Sequence, residues 1–231
     1  MPNNLTGIIG AMPEEIEALL DVLEGTRKEQ VGAFTLYWGT LEGHDVCLAE
    51  CGIGKVNAAA LTQLFVMQKV DKVIFTGVAG AVSPELKVGD IVVSTDALQH
   101  DLNVTALGYE LGQVPGEPLS WQADEELLEL ALSAAREIED VQVVSGRVVS
   151  GDQFIADAGK VTQLRETFGA VCAEMEGAAV AQMCAKAGVP FVIIRSISDT
   201  ANHEAEVNFR EFTPLAAKRA KWVVRGMLRQ L

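Results

Sequence analysis

"PFVIIRSIS", residues 190–198, runs almost unbroken through apolar and β-branched side chains and is followed at once by Asp199. A strand with one wet face alternates apolar and polar residues. A run this continuous reads instead as a strand covered on both faces, as in the sheets of α/β proteins. The stretch also raises a question. A carboxylate set directly beyond a buried strand costs desolvation energy unless it is hydrogen-bonded, neutralised or used on a ligand.

Runs of the same kind recur: "LTGIIG" at 5–10, "DVCLAE" at 45–50, "DKVIFTGVAG" at 71–80, "GDIVVSTDA" at 89–97, "VQVVSGRVVSG" at 141–151 and "AVCAEME" at 170–176. Helical patterns lie between several of them. "PEEIEALLDVLEG", 13–25, has Pro13 suited to a first turn, apolar positions at Ile16, Leu19, Leu20 and Leu23, and Gly25 as a stop. Residues 54–69, 123–137 and 176–188 read likewise, and 209–231 as a closing helix. Strands alternating with helices predict an α/β layered fold. No Pro/Gly/Ser-rich linker or charge run divides the chain, so a single domain is expected over 1–231. The segment 100–118, "HDLNVTALGYELGQVPGEP", is long and turn-rich with no clean period, as functional loops often are.

With 231 residues, 49% of them hydrophobic, the chain is long enough for a substantial core. A formal charge of -14 disfavours binding to nucleic acid or to an anionic membrane. The N-terminal "MPNNLTGIIGAM" has neither a basic region nor a long apolar one, and no stretch approaches the about 20 apolar residues of a membrane span. A cytoplasmic, soluble protein is expected. Cys47, Cys51, Cys172 and Cys184 lack metal-ligand spacing and read as buried free thiols. The cations Lys218, Arg219, Lys221, Arg225 and Arg229 read as a solvated helix face that complements the dipole, not as a nucleic-acid patch.

Ligands of α/β sheets gather beyond the carboxyl ends of the strands. Three such places here carry acids: Glu14 and Glu15 after "GIIG", Glu174 and Glu176 around "AEMEG", and Asp199 after "SIS". An acid in a first helical turn is favoured by the dipole and need do nothing else, which covers Glu14 and Glu15. Glu174 and Glu176 point to the same side of an extended segment. Two like charges so placed call for a polar ligand, or for a cation such as Arg195 beside Glu174 with Glu176 at a helix N-terminus. "CGIGKVNAAA" satisfies neither phosphate-loop pattern, and "TGVAGA" reads as a tight turn where Gly77 and Gly80 bring backbone close to a neighbour or ligand. His44, His100 and His203 read as turn residues without metal spacing, and His100 with Asp101 as a possible local pair. G-x-S-x-G is absent, leaving a carboxylate site without metal.

Taken together, "GIIGAMPEEI", "CGIGKVNAA", "FTGVAGA", "VGDIVVS", "HDLNVTALGYELGQVPG", "VSGDQFI", "AEMEGAAVA" and "RSISDTA" resemble the 5′-methylthioadenosine/S-adenosylhomocysteine nucleosidases of the purine nucleoside phosphorylase and uridine phosphorylase superfamily. The elements stand in family order from about residue 7 to the terminal helix. The resemblance implies a three-layer α/β/α sandwich with a central mixed sheet, and hydrolysis of 5′-thio-substituted adenosines to adenine by water, with no metal or organic cofactor, as in methionine salvage. It implies Asp199 as the acid at adenine N7, Glu15 as the carboxylate that activates water, and Glu176 as the ribose-binding carboxylate with Glu174 beside it. Phe154, Phe209 and the Ile155 backbone match positions around adenine. Met12, Ile53 and Met175 match positions around the ribose and its 5′ substituent, and Val78, Ala79 and Gly80 belong to the same site. Leu107, Tyr109 and Pro115 match residues that reach the 5′ pocket of a second subunit, which implies a homodimer. Val78 stands where many relatives carry a hydroxyl, Leu107 replaces a frequent phenylalanine and Pro13 a common acid. The competing readings are a phosphorylase, which would need cations around its phosphate, a futalosine-type hydrolase, and a nucleoside binder without turnover.

Overall fold

The computed structural model describes residues 4–199 and 205–231, without the side chains of 205–208 and 210. Among the described residues, ten strands form one mixed sheet. Its middle is built from β1 (Thr6–Gly10), β5 (Lys72–Ala81) and β10 (Phe191–Asp199), with β5 parallel to both neighbours. On one side β1 continues to β4 (His44–Glu50), β3 (Phe34–Leu41) and the edge strand β2 (Glu24–Val31). On the other, β6 (Ile91–Gln99), β8 (Val143–Ser150) and β9 (Ala170–Glu174) curl round until β9 meets the end of β5 and β6 meets β10. The short β7 (Trp121–Gln122) pairs with β6.

The unbroken apolar runs follow from this burial on both faces. Successive strand side chains point to opposite sides. Val73 and Phe75 of β5, Ile9 of β1 and Ile193 of β10 therefore enter one core layer, while Ile74, Ile8, Val192 and Ile194 enter the other. The first layer is closed by α2 (Lys55–Met67) and α5 (Gly177–Ala187), through Leu61, Phe65, Val180 and Cys184. The second is closed by α1 (Pro13–Leu20), α3 (Glu125–Ala135) and α6 (Ala205–Leu228), through Leu19, Leu127 and Val223. The result is the expected α/β/α sandwich. A satellite cluster under α4 (Ala158–Phe168) adds Leu164 and Phe168.

Several local expectations are corrected. Pro13 does open α1, but the helix ends at Leu20, and Gly25 lies at positive φ within β2. Leu23 is buried although it is not helical; it fills space left by Gly39, where a Cβ would stand 2.8 Å from its Cγ. "TGVAGA" is not a turn but the last part of β5. His100 and Asp101 form no pair: Asp101 binds Lys55, and neither nitrogen of the buried His100 ring has a hydrogen-bond partner among the described residues. His203 lies outside the described residues. Of the cations on and just after α6, Arg225 and Arg229 are not simply solvated, since both bind Glu42 at the β3–β4 turn. The four cysteines are free and buried, as read. No helix among the described residues is long and apolar enough to cross a membrane.

Candidate active site

The carboxyl ends of β1, β5, β9 and β10 converge, and each delivers its following residues to one cavity of about 340 Å³. From β1 come Met12 and Glu15, Glu15 lying in the first turn of α1. Strand β5 supplies Val78, Ala79 and Gly80; β9 and the entry to α5 supply Glu174, Met175 and Glu176. Asp199 ends β10, while Ile53, Phe154, Ile155 and Phe209 close the rim. Every residue assigned from the sequence to this chain's own site thus lines the same cavity. Leu107, Tyr109 and Pro115 do not line it. They lie exposed on the long loop, Leu107 being 71% accessible.

Glu15 is buried to 2% exposure and fully held. One carboxylate oxygen accepts from the backbone N–H of Ala11 and Met12, and the other from that of Val78 at 3.0 Å. Burial raises its pKa, while the charge of Arg195 and these N–H donors pull it back. The N–H groups come from the turn into α1 and from the open end of β5, so the backbone itself orients this acid.

Glu174 and Glu176 divide their work. Glu174 is the anchor: its carboxylate takes the Ser150 hydroxyl, the backbone N–H of Glu176 and Gly177, and the guanidinium of Arg195. Glu174 thus has the cation partner that the sequence offers for it, and the pair lies almost wholly inside the protein. Glu176 stands at the N-cap of α5 and accepts from the backbone N–H of Gly54 at 2.7 Å. Burial first, then the charge of Glu174, push its pKa up to about 8. Arg195 works against that rise.

Arg195 itself lies behind the cavity wall on β10, with its guanidinium 3.9 Å from the centre of the Phe75 ring. Burial works against its charge, but Glu174, Glu15 and Glu176 hold the proton on, and its pKa is raised. One buried cation thus faces three carboxylates. This is the functional residue that strand-end reading left in a supporting part; a lone arginine inside an apolar strand, with acids after neighbouring strands, was the available signal.

Asp199 owes its aim to an irregularity. The β5–β10 register runs Ile197 opposite Ala79 and then Asp199 opposite Gly80, so Ser198 is an extra residue. The bulge turns Asp199 into the cavity, and the Ser198 hydroxyl donates to its Oδ2 at 3.0 Å. Phe154 and Phe209 line the same cavity and meet edge to face with centroids 5.7 Å apart, giving it an aromatic, apolar side. Among the described lining residues there are four carboxylates and neither lysine nor arginine. Such a site can bind hydroxyls, stabilise developing positive charge and move protons.

Residues 6–229 match the phosphorylase superfamily. A 5′-methylthioadenosine/S-adenosylhomocysteine nucleosidase from Geobacillus sp. (strain WCH70) is 44% identical over 226 residues, which is 97% of each chain. The chain belongs to this nucleosidase family.

The crystal structure of the family member from Neisseria meningitidis, in complex with methylthio-immucillin-A, superposes with a TM-score of 0.96 at 41% identity, over 99% of this chain and all of that one. A futalosine hydrolase from Helicobacter pylori superposes nearly as well, with a TM-score of 0.94 at 33% identity, over 99% of this chain and 98% of that one. Nucleosidase-family membership accounts for the order of the sequence elements. It leaves the division of labour within the cavity to be argued from its chemistry.

Proposed function

We propose that the protein hydrolyses the N-glycosidic bond of 5′-methylthioadenosine, S-adenosylhomocysteine and 5′-deoxyadenosine, releasing adenine, with water as nucleophile. The observation that carries this reading is the cavity in which Glu15, Glu174, Glu176 and Asp199 meet beside an aromatic wall, with no cation among its described lining residues. Departure of adenine leaves positive charge on the sugar, which carboxylates stabilise. Protonation of the base keeps negative charge from building on the leaving group.

In this reading Asp199 hydrogen-bonds the purine edge and gives N7 its proton. Glu15, held by three backbone N–H groups, orients and deprotonates water; burial raises its pKa and so its basicity, while Arg195 and the N–H donors restrain the rise. Glu176 binds the ribose hydroxyls, whose donation favours its ionised form. Glu174 keeps Glu176 and Arg195 in place. Phe154 and Phe209 flank the adenine, the Ile155 backbone reads its edge, and Met12, Ile53 and Met175 pack on the sugar and its 5′ group.

A bound phosphate would need a cationic cradle. Arg195 is committed to Glu174 behind the wall and Lys55 to Asp101 and Gln99, which supports water over phosphate as the acceptor. No metal or organic cofactor has a part in the scheme. We further propose a cytoplasmic homodimer in which Leu107, Tyr109 and Pro115 close the partner's 5′ pocket, supported by the exposure of Leu107 and Tyr109 in this chain. The likeness to futalosine hydrolase favours one rival reading. A panel of methylthioadenosine, S-adenosylhomocysteine, 5′-deoxyadenosine and futalosine, followed by release of free base, tests the proposal; turnover of futalosine alone would overturn it.

A further inference from the structure

Lys55, the first residue of α2, does not line the cavity, yet its side chain is largely buried at 17% exposure. Its Nζ donates to Asp101 Oδ1 at 2.6 Å and to Gln99 Oε1 at 3.0 Å. The second oxygen of Asp101 accepts from the backbone N–H of Asp152 at 2.9 Å, and the Asp152 carboxylate accepts from the backbone N–H of Lys55, also at 2.9 Å. The bonds close on themselves: Lys55 side chain to Asp101, Asp101 to the Asp152 main chain, Asp152 side chain to the Lys55 main chain. Three segments distant in sequence are tied at one point.

The position of this ring gives it a use. Asp152 lies between β8 and α4, where there is no strand ladder or helix to fix the backbone, and the next three residues, Gln153, Phe154 and Ile155, form one wall of the cavity. Their main chain is otherwise held nearby by Gly151 N–H on Glu174 and Gln153 N–H on Gly151. Gly54, immediately before Lys55, is the residue whose N–H binds Glu176. The ring thus stands at the start of this wall on one side and adjoins Gly54, the partner of Glu176, on the other. Its far end is braced too, since Gln99 donates to Gln182, which donates to Glu117 at the close of the long loop. Burial pushes the Asp101 carboxyl up, but Lys55 and the Asp152 N–H outweigh it and hold it ionised below its ordinary range.

We propose that Lys55 and Asp101 are positioning residues for purine recognition, holding residues 152–155 against the leaving base without touching it. The proposal rests on the nucleosidase reading. It concerns binding of the base in ground and transition states alike, so loss of the ring raises KM and leaves kcat nearly intact.

The test uses Lys55→Met, Lys55→Arg, Asp101→Asn and the double variant Lys55→Met/Asp101→Asn in the full chain, with methylthioadenosine as substrate and hydrogen exchange of the free protein followed in parallel. Lys55→Met and Asp101→Asn are each expected to raise KM by about 10-fold with kcat within about threefold, Lys55→Arg to recover most of the loss, and the double variant to be no worse than either single one. Backbone amides from 152 to 157 exchange faster in Lys55→Met at unchanged midpoint of thermal unfolding. A lowered unfolding midpoint with unchanged KM, or effects that simply add, would make the ring a stability feature and overturn the proposal. Should the unaltered protein release no adenine from methylthioadenosine, the nucleosidase reading falls on its own. The exchange of 152–157 then decides the ring: faster exchange in Lys55→Met upholds it as the device that orders this wall, and unchanged exchange overturns it.

Discussion

Gly77 lies so close to Glu15 that a Cβ added to it would stand 2.8 Å from the Glu15 carboxyl carbon and overlap the guanidinium of Arg195. The glycine is not serving a turn, for it lies within β5. It leaves the space that the Glu15 carboxylate and the Arg195 guanidinium both occupy beside the strand. Gly77→Ala is therefore expected to drive Glu15 or Arg195 out of place and to cut turnover by about 100-fold or more, the scale of losing a positioned general base. Steady-state release of adenine, with circular dichroism to confirm folding, checks this; a folded variant with normal kcat would show that the space at Gly77 is dispensable.

Removal of the proposed acid and base separates their roles from mere binding. Asp199→Asn retains much of the hydrogen bonding to adenine yet lacks the proton to give, and Glu15→Gln keeps the shape of the water site without its basicity. Each is expected to lower kcat by about 10²–10⁴-fold. Near-normal turnover in either variant would remove the role assigned to that residue.

The pKa of about 8 at Glu176 has a consequence for stability. In the folded protein this acid keeps its proton over a range where the unfolded chain, near the ordinary carboxylate value of 4.5, has lost it. The folded state then binds more protons, so the contribution of this group to stability is intact below about pH 4.5 and is lost progressively as pH rises toward 8. Glu176→Gln removes the cost of ionising a buried acid. Its unfolding midpoint, measured in parallel with the unaltered protein, should gain on it as pH rises from 5 to about 9. A difference independent of pH would contradict the raised pKa.

Only part of the apolar character of the long loop is explained within one chain. Leu111 and Val114 pack against core clusters of this chain, whereas Leu107 stays exposed. In the proposed homodimer, Leu107 and nearby Tyr109 are residues that the partner would cover. Leu107→Asp is expected to shift the protein toward monomer and to weaken binding of 5′-alkylthio substrates together. Sedimentation and kinetics on one sample decide it. A monomeric variant with normal KM would mean that the pocket is complete within one chain.

The strands buried on both faces were legible because their physics is local: Val192 through Ile194 must be apolar on every side, and the sequence shows it. The hairpin of β2 and β3 was not. "EGTRKEQV" is mostly exposed at the sheet edge, so polar residues occupy it and no apolar run marks it. Helix α4 escaped for a similar reason, with only Leu164 and Phe168 buried among its residues. The acids of the site were found by their place after strands. Arg195 was noticed only as a partner for Glu174, because its nearness to Glu15 depends on the missing side chain at Gly77, a relation between β1, β5 and β10 that no single segment carries. Lys55 and Asp101 stand 46 positions apart, and the ring they close has no local signature at all.

The central claim is that water, not phosphate, takes the sugar. The most direct measurement follows methylthioadenosine turnover by the purified protein in phosphate-free buffer with a chelator present, then with saturating phosphate, and identifies the sugar released. The account predicts free 5-methylthioribose and adenine at the same rate in both conditions. A sugar 1-phosphate product, or cleavage that begins only when phosphate is added, would contradict it.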